Sequence, residues 1–369
     1  MQLFDTARQA VVPFEPGPVV SMYTCGITPY DAAHVGHAAV YVTYDVLQRR
    51  LRDLGHQTRC VRNITDVDDP LLAKARELGV HYLDLAAAEI RRFDDSMRAL
   101  NLLPAWSEPR ATSAIPDILG FIGMVLESGH AYEAAGAVYF SVASFDRFGQ
   151  VSHYPRAKML SLAAERGGNP EDPHKRDGLD FVLWQPSAPG EPVWDSLWGP
   201  GRPGWHIECS ALALRELGET IDLHGGGTDL IYPHHECEAA QSESVTGVPF
   251  VRHWMHVGMV CLDGEKMSKS LGNLVFVDAL LKEWDPPAVR LAILANHYRH
   301  EWHWDDSLMP AAAARLERWR AAGEGHAALE EVRGALDDDL DCPRALAAID
   351  DAARRGGGVS VAAGLLGLR

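Results

Sequence analysis

The sequence predicts an α/β protein built on a parallel sheet, and two passages carry that prediction. The first is a strand, a helix and a second strand packed into residues 19 to 64. The second is a return of the same alternation after residue 205, where WHIECSALALREL, ETIDLHGGG, HHECEAAQSES and HWMHVGMVCL follow one another. Strands that alternate with helices point to a parallel sheet, because a helical crossover can carry the chain back to the end of the sheet where the previous strand began.

Taken in order, VVSMYTC (19 to 25) reads as a strand because it is a short β-branched run between Pro18 and Gly26. From Val35 to Leu54 the apolar residues fall at 35, 38, 39, 42, 46, 47, 51 and 54, one face of a helix that Gly55 closes. HQTRCVRNI (56 to 64) completes the unit. Residues 70 to 160 read as mostly helical with a strand pair around AVYFSV, and apolar periodicity suggests helices from 276 onward. The expected division is a first half-domain over 1–100, an inserted connecting domain over 101–175, a second half over 176–275, and a helical region over 276–369. No internal repeat is found.

Of the 369 residues 47% are hydrophobic and 23% charged, an ordinary globular composition with enough length for two or three packed units. No apolar run approaches the roughly 20 residues of a membrane span, and the N-terminus MQLFDTARQAVVPF lacks a signal-peptide core. A soluble, cytoplasmic protein without a membrane partner is expected. The net charge of −17, from 51 acidic and 34 basic residues, counts against a large nucleic-acid footprint and favours small substrates. The six cysteines are scattered without CxxC pairs, which suits reduced thiols or a metal site assembled from distant segments.

Two short motifs bear on chemistry. In YTCGITPYDAAHVGH the loop after the first strand meets a helix start, where unpaired N–H groups and the helix dipole attract phosphate. His34 and His37 stand at that start, and Gly36 allows close approach; they either face a nucleotide or merely cap the helix. KMSKS (266 to 270) follows a strand and the turn DGE, so Lys266 and Lys269 can neutralise a leaving pyrophosphate, or form a solvated lysine loop.

HxGH followed by KMSKS, each at a strand-to-helix switch, resembles the signature of class I aminoacyl-tRNA synthetases, with residues 34 to 37 in the HIGH position. The implied fold is the Rossmann-like parallel sheet of that class, with an inserted connecting domain and a C-terminal helical region. CGITPYDAAHVGHA, RNITDVDDP, DFVLWQPSAPGEPVWDSLWGPGRPGWHIECSA, HGGGTDLIYPHHE and GEKMSKSLGN resemble the cysteinyl-tRNA synthetase catalytic domain from residue 20 to about 305. That likeness implies one Zn²⁺ per chain held by Cys25, Cys209 and His234, with Glu238 at a fourth position. His234, Cys237 and Glu238 are spaced to share one face of a predicted helix. Residues 271–369 leave little room for an anticodon module, and the full chain resembles the mycothiol ligase family, which joins cysteine to glucosaminyl-inositol. ITPYD (27 to 31) and ERGGNP (165 to 170) carry that likeness, with Asn169 where the family has Asp.

The resemblance implies catalysis through a cysteinyl adenylate. L-Cysteine attacks ATP, which brings Mg²⁺, and glucosaminyl-inositol then takes the cysteinyl group, with His34, His37, Lys266 and Lys269 stabilising the first transition state. The adenylate would be contacted by Cys25, Gly26, Ile27, Thr28, Val40, Asn63, Ile64, Thr65, Trp205, Gly227, Thr228, Asp229 and Val260. Trp205 can wall the amino-acid pocket, Asp229 can accept from a ribose hydroxyl or an ammonium, Gly227 lets backbone approach, and Val260 offers main-chain bonds to adenine. His37, Asp229 and the adenylate phosphate remain open as the base for amine attack. Asp66, Asp68 and Asp69 are expected to cap the following helix. A monomer is expected, and a cysteinyl-tRNA synthetase without an anticodon-binding domain is the alternative enzyme.

Overall fold

The structure is a computed structural model describing residues 1–262, 264–267 and 272–368. A hairpin, β1 (Gln2–Asp5) and β2 (Ala10–Pro13), leads into β3 (Val19–Ile27), α1 (Val35–Asp53) and β4 (Gln57–Ile64). The register of β3 on β4 is parallel from Val19 opposite Gln57, so the βα unit closes as the apolar spacing requires. The buried face of α1 includes Val35, Ala38, Ala39, Val42, Val46, Leu47 and Leu51, the positions marked by the helical period.

Next come α2 (Asp69–Leu78), α3 (Tyr82–Ala99) and α4 (Ile115–Glu127). Asp68 caps α2 by accepting the Asp69 amide at 2.8 Å, and Gly79 ends that helix with φ +65°. Asp66 instead accepts the Thr112 amide and hydroxyl, at 2.9 and 2.7 Å, and so ties the end of β4 to the 111–113 turn.

A separate antiparallel sheet follows in sequential order: β5 (Ala131–Ala134), β6 (Ala137–Phe140), β7 (Phe181–Gln185) and β8 (Arg202–Pro203), with α5 (Arg156–Glu165) between β6 and β7. It is inserted between β4 and the remaining strands of the parallel sheet, and it takes strands from both sides of residue 175. The main sheet resumes through α6 (Trp205–Leu217), β9 (Leu223–Gly227), α7 (Glu236–Thr246) and β10 (Trp254–Val257). Its order is β10-β9-β3-β4, all parallel, so the chain reverses its direction of growth between β3 and β9. Ligands in open α/β sheets lie outside the carboxyl ends of the strands at such a switch point.

The run HWMHVGMVCL does not form one strand. It breaks at Gly258, where an added Cβ would lie 2.2 Å from the His300 carbonyl oxygen, and continues as β11 (Val260–Leu262) in another sheet. There β11 pairs with β12 (Glu265–Lys266) and β13 (Trp302–His303). The helices α8 (Val277–Glu283), α9 (Pro286–Leu294), α10 (Leu308–Ala322), α11 (Leu329–Leu336), α12 (Cys342–Arg354) and α13 (Ser360–Leu365) complete the chain. One core joins them to α1. Within it the fully buried Arg290 on α9 donates to Leu366 O at 2.7 Å, to Leu100 O at 3.0 Å and to the Asp45 carboxylate of α1. No helix among the described residues is long and apolar enough to cross a membrane.

Candidate active site

The carboxyl ends of β3, β9 and β10 frame a cavity of about 350 Å³. Cys25, Gly26, Ile27, Thr28, His34, His37, Val40, Trp205, Gly227, Asp229 and Val260 line it, so eleven positions expected from the sequence meet in one space. Asn63, Ile64, Thr65 and Thr228 do not line it. Asn63 accepts the Gly26 amide on Oδ1 at 2.8 Å and donates to Thr65 Oγ1 at 3.1 Å, Thr65 N donates to Ile27 O at 3.0 Å, and Ile64 pairs with Ile27. These three brace the strand end from behind. Thr228 sits in the turn between β9 and the Ile231–His235 segment.

A register shift between Thr24 and Ile27 displaces β3 from the regular ladder just where Cys25 sits. Such a bulge re-aims one side chain, here the Cys25 thiol, which is buried. Gly26 is required by contact rather than by dihedral angle: an added Cβ would lie 1.5 Å from the Asn63 carbonyl oxygen. Tyr41 donates to the Cys25 carbonyl at 3.1 Å and holds the bulge from the α1 side.

At the opposite end of the loop His34 occupies the N-cap of α1 in an extended conformation and makes no side-chain cap hydrogen bond. Its ring stacks on His37 with centroids 3.9 Å apart. Gly36 makes the stack possible, since a Cβ there would stand 2.8 Å from the His34 ring. Both imidazoles line the cavity. The flank of the KMSKS segment comes to the same place, with Val35 N donating to Val275 O and Val277 N to Ala33 O, at 2.8 and 2.9 Å. Met267 lines the cavity, Lys266 ends β12, and Lys269 lies outside the described residues.

Behind Trp205 four buried side chains converge. One donor atom from each of Cys25, Cys209, His234 and Glu238 lies within 4.8 Å of the others. Cys25 belongs to β3 and Cys209 to α6, while His234 lies in a π-type turn over Ile231–His235 that precedes α7. The expected helix therefore starts later than His234, yet the turn still brings His234 and Glu238 together, with Nε2 to Oε1 at 2.7 Å. Cys237 joins the apolar cluster instead.

Electrostatics in this cluster are strongly coupled. Burial pushes the Cys25 thiol up, with Cys209 adding to the rise; the hydrogen bond from Cys25 leads in drawing Cys209 down to about 6, against burial and aided by His234. Burial disfavours charge on His234, but Glu238 and Cys209 outweigh it and raise the imidazole to about 10. Burial likewise pushes Glu238 up, and His224 and His234 overcome it to hold the carboxyl at about 2.

The donor set suits a metal ion. Two thiols, an imidazole and a carboxylate point at one another, and His234 Nδ1 faces His206 Nδ1 at 2.9 Å, which leaves Nε2 toward the cluster. A second group, Cys25, His224, His235 and Glu238, overlaps the first. Its histidines do not line the cavity: His235 stands between Cys25 Sγ, 3.3 Å from its Nε2, and His256 Nε2, 2.7 Å from its Nδ1, while His224 Nε2 lies 2.7 Å from Glu238 Oε2 and its ring stacks on Trp254. His234 instead stacks on the cavity-lining Trp205 with centroids 4.1 Å apart, so the first group is the one continuous with the cavity.

Comparison with known proteins places this geometry. The family of "tRNA synthetases class I (C) catalytic domain" matches residues 11–314. The "L-cysteine:1D-myo-inositol 2-amino-2-deoxy-alpha-D-glucopyranoside ligase" of Nocardiopsis dassonvillei is 51% identical over 357 residues, covering 95% of this chain and 88% of that protein. The enzymes of the same name from Parafrankia sp. and Thermobispora bispora are 51% and 48% identical, over 95% and 99% of this chain and 81% and 93% of theirs. The chain belongs to this cysteine:glucosaminyl-inositol ligase family.

The ligase family's fold is the expected α/β one. Methionyl-tRNA synthetase of Mycobacterium tuberculosis with methionyl-adenylate superimposes with a TM-score of 0.70 at 18% identity, over 93% of this chain and 84% of that one. The leucyl enzyme of Agrobacterium radiobacter gives 0.65 at 13% identity, over 96% and 83%. These distant likenesses establish the fold alone.

Several residues escaped the sequence reading. Tyr30, Tyr41, Leu230, Met259 and Met267 also line the cavity, and His206, His224 and His235 surround the thiol cluster. The polar signal was the clustering of histidines in HGGGTDLIYPHHE; Leu230, Met259 and Met267 had none, because apolar lining is indistinguishable from core in one sequence.

Proposed function

We propose that the chain joins L-cysteine to the amine of glucosaminyl-inositol in mycothiol biosynthesis, through a cysteinyl adenylate, with AMP and pyrophosphate released. The observation that carries this reading is the arrangement of one cavity between a thiol-rich donor cluster and a stacked histidine pair at a helix start. Cysteine and ATP are thereby brought together.

Cys25, Cys209 and His234, with Glu238 as fourth donor, would hold zinc. Zinc supplies a soft Lewis acid that favours a substrate thiolate over the hydroxyl of serine. Trp205 closes the amino-acid end of the cavity. Thr28 and the Gly227 backbone approach the adenylate, Asp229 accepts from ribose or the substrate ammonium, and Val260 meets adenine. Asn63, Ile64 and Thr65 act by fixing the backbone from Cys25 to Ile27.

In the first step a carboxylate oxygen of cysteine bonds to the α-phosphorus of ATP, which enters with Mg²⁺, and the bond to pyrophosphate breaks. His34 and His37 at the α1 start, together with Lys266 and Lys269, offset the charge that grows on the phosphates. In the second step the amine nitrogen bonds to the cysteinyl carbonyl carbon and AMP leaves.

Cysteine-dependent exchange between ATP and labelled pyrophosphate, followed by mass analysis with glucosaminyl-inositol or bulk tRNA as acceptor, tests the reading. The amide with the aminosugar and no aminoacylated tRNA is expected. Cysteinyl-tRNA without the amide would replace this function by that of a synthetase.

A further inference from the structure

The adenylate cavity has a neighbour that no step above uses. A larger chamber of about 880 Å³ shares Thr28, Tyr30 and Trp205 with it, so one wall separates the two. The 167–169 turn of ERGGNP and the strands β6 and β7 form the chamber's outer side, and Asp68 stands at the N-cap of α2 on the inner side. Its volume lies in the range of small-molecule sites, roughly 300–1,000 Å³.

The chamber is polar in a particular way. Its cations are committed: Arg166 donates to the carbonyls of Asp229 and Tyr232, and Lys175 to the carbonyl of Gly168. Most of its acids are committed too. Asp69 is paired with Arg202, and Asp172 accepts from Tyr139 OH at 2.9 Å and from the His174 amide at 3.0 Å. Asp68 differs, because Oδ1 accepts the Asp69 amide while Oδ2 accepts nothing among the described residues. Asn169, held at φ +42°, and Gln185 likewise present amides with no side-chain hydrogen bond among the described residues. One spare carboxylate and two spare amides around a space walled by Trp205 and Phe181 suit a polyhydroxylated ring system that carries a single amine.

We propose that this chamber is the acceptor subsite, in which Asp68 binds the amine of glucosaminyl-inositol and takes its proton while Asn169 and Gln185 read the hydroxyls. The inference rests on the ligase reading given above and adds where the second substrate sits and what deprotonates it. The ammonium passes one proton to Asp68 Oδ2, and the freed lone pair forms the C–N bond to the cysteinyl carbonyl. The C–O bond to the phosphate breaks with its electron pair leaving on AMP, and the remaining extra proton on nitrogen goes to that phosphate. Burial, outweighing the hydrogen bond from the Asp69 amide and the charges of Arg202 and His234, lifts the Asp68 carboxyl to about 6, so it can both hold an ammonium and accept its proton near neutrality.

Asp68→Asn tests this cleanly, because asparagine caps a helix as well as aspartate does. The expected result is cysteine-dependent pyrophosphate exchange within about twofold of the parent, with amide formation from preformed adenylate slowed at least tenfold and a raised KM for the aminosugar. Gln185→Leu should raise the acceptor KM about fivefold at unchanged exchange. Amide formation by Asp68→Asn within twofold of an active parent, equal loss of both half-reactions, or a parental acceptor KM in Gln185→Leu would each overturn the assignment while the ligase reading stands. A parent that exchanges pyrophosphate yet makes no amide would remove both.

Discussion

Gly26→Ala is expected to empty the metal cluster without touching a single donor. An alanine Cβ at this position would lie 1.5 Å from Asn63 O and 2.6 Å from the same carbonyl carbon. Restoring an ordinary contact requires β3 and β4 to part by about 2 Å, because neither neighbour is a flexible side-chain tip. That movement breaks the 2.8 Å hydrogen bond from Gly26 N to Asn63 Oδ1 and carries Cys25, the preceding residue, with it. Metal–ligand distances tolerate about 0.2 Å, a tenth of this displacement. Overpacking of this severity costs about 3 kcal/mol or more. Gly17→Ala is the control, since nothing lies within 4 Å of its Cβ. Metal per chain by mass spectrometry and the urea midpoint are the two readouts. Gly17→Ala should match the parent in both, whereas Gly26→Ala should lose metal and unfold earlier. A Gly26→Ala protein with parental metal content and midpoint would refute the claim that close backbone approach positions Cys25.

Three further outcomes are expected. Cys209→Ser should weaken metal binding by more than the roughly 10–100-fold that outer-sphere changes cost, as titration against a competing chelator will show, and should abolish cysteine-dependent exchange. Arg290→Met should destabilise the fold by about 3–5 kcal/mol, because it strips a buried ion pair of one partner, while the ratio of the two half-reactions in the folded fraction stays parental. Burial, aided by His224, lowers His256 to about 3. Below the unfolded value near 6.5 the unfolded chain therefore binds a proton that the native chain refuses. Native stability should fall as pH drops from about 6.5 toward 3, by about 1.4 kcal/mol per pH unit for this group, and urea midpoints across that range for the parent and His256→Asn will check the slope.

The parallel sheet was legible in the sequence because its evidence is periodic. The apolar stripe of α1 and the β-branched run of β3 each repeat one signal many times, so a single exception does little harm. Single-residue events were less legible. The break at Gly258 interrupts a run of good strand formers for a reason that lies far downstream, at the His300 carbonyl. The start of α7 was misplaced for a similar reason: HHECEAAQSES has helical spacing throughout, yet Tyr232 adopts extended angles and the chain turns before His234. The roles of Asn63 to Thr65 also escaped sequence, since a residue beside a strand end faces either the ligand or the neighbouring strand, and only register decides.

In the proposed reaction the site's specificity is divided among three places. Cys25 and His34 belong to one loop, but the bulge at Cys25 turns the thiol under Trp205 toward His234, while the missing side chain of Gly36 lets the two histidines stack at the other end. In the proposed reaction a thiol and a triphosphate would thus meet groups that share backbone without sharing space. On the proposed reading the acceptor reaches the cysteinyl group past Thr28, Tyr30 and Trp205, the residues that line both the cavity at the strand ends and the polar chamber. Arg166 links the two spaces physically, because its guanidinium holds the carbonyls of Asp229 and Tyr232 from the turn that shapes the chamber. An acceptor that reorders the 166–169 turn would act on the segment leading to His234. On the proposed reading acceptor binding and cysteine activation are therefore mechanically adjacent, through two hydrogen bonds to main chain rather than through any shared ligand.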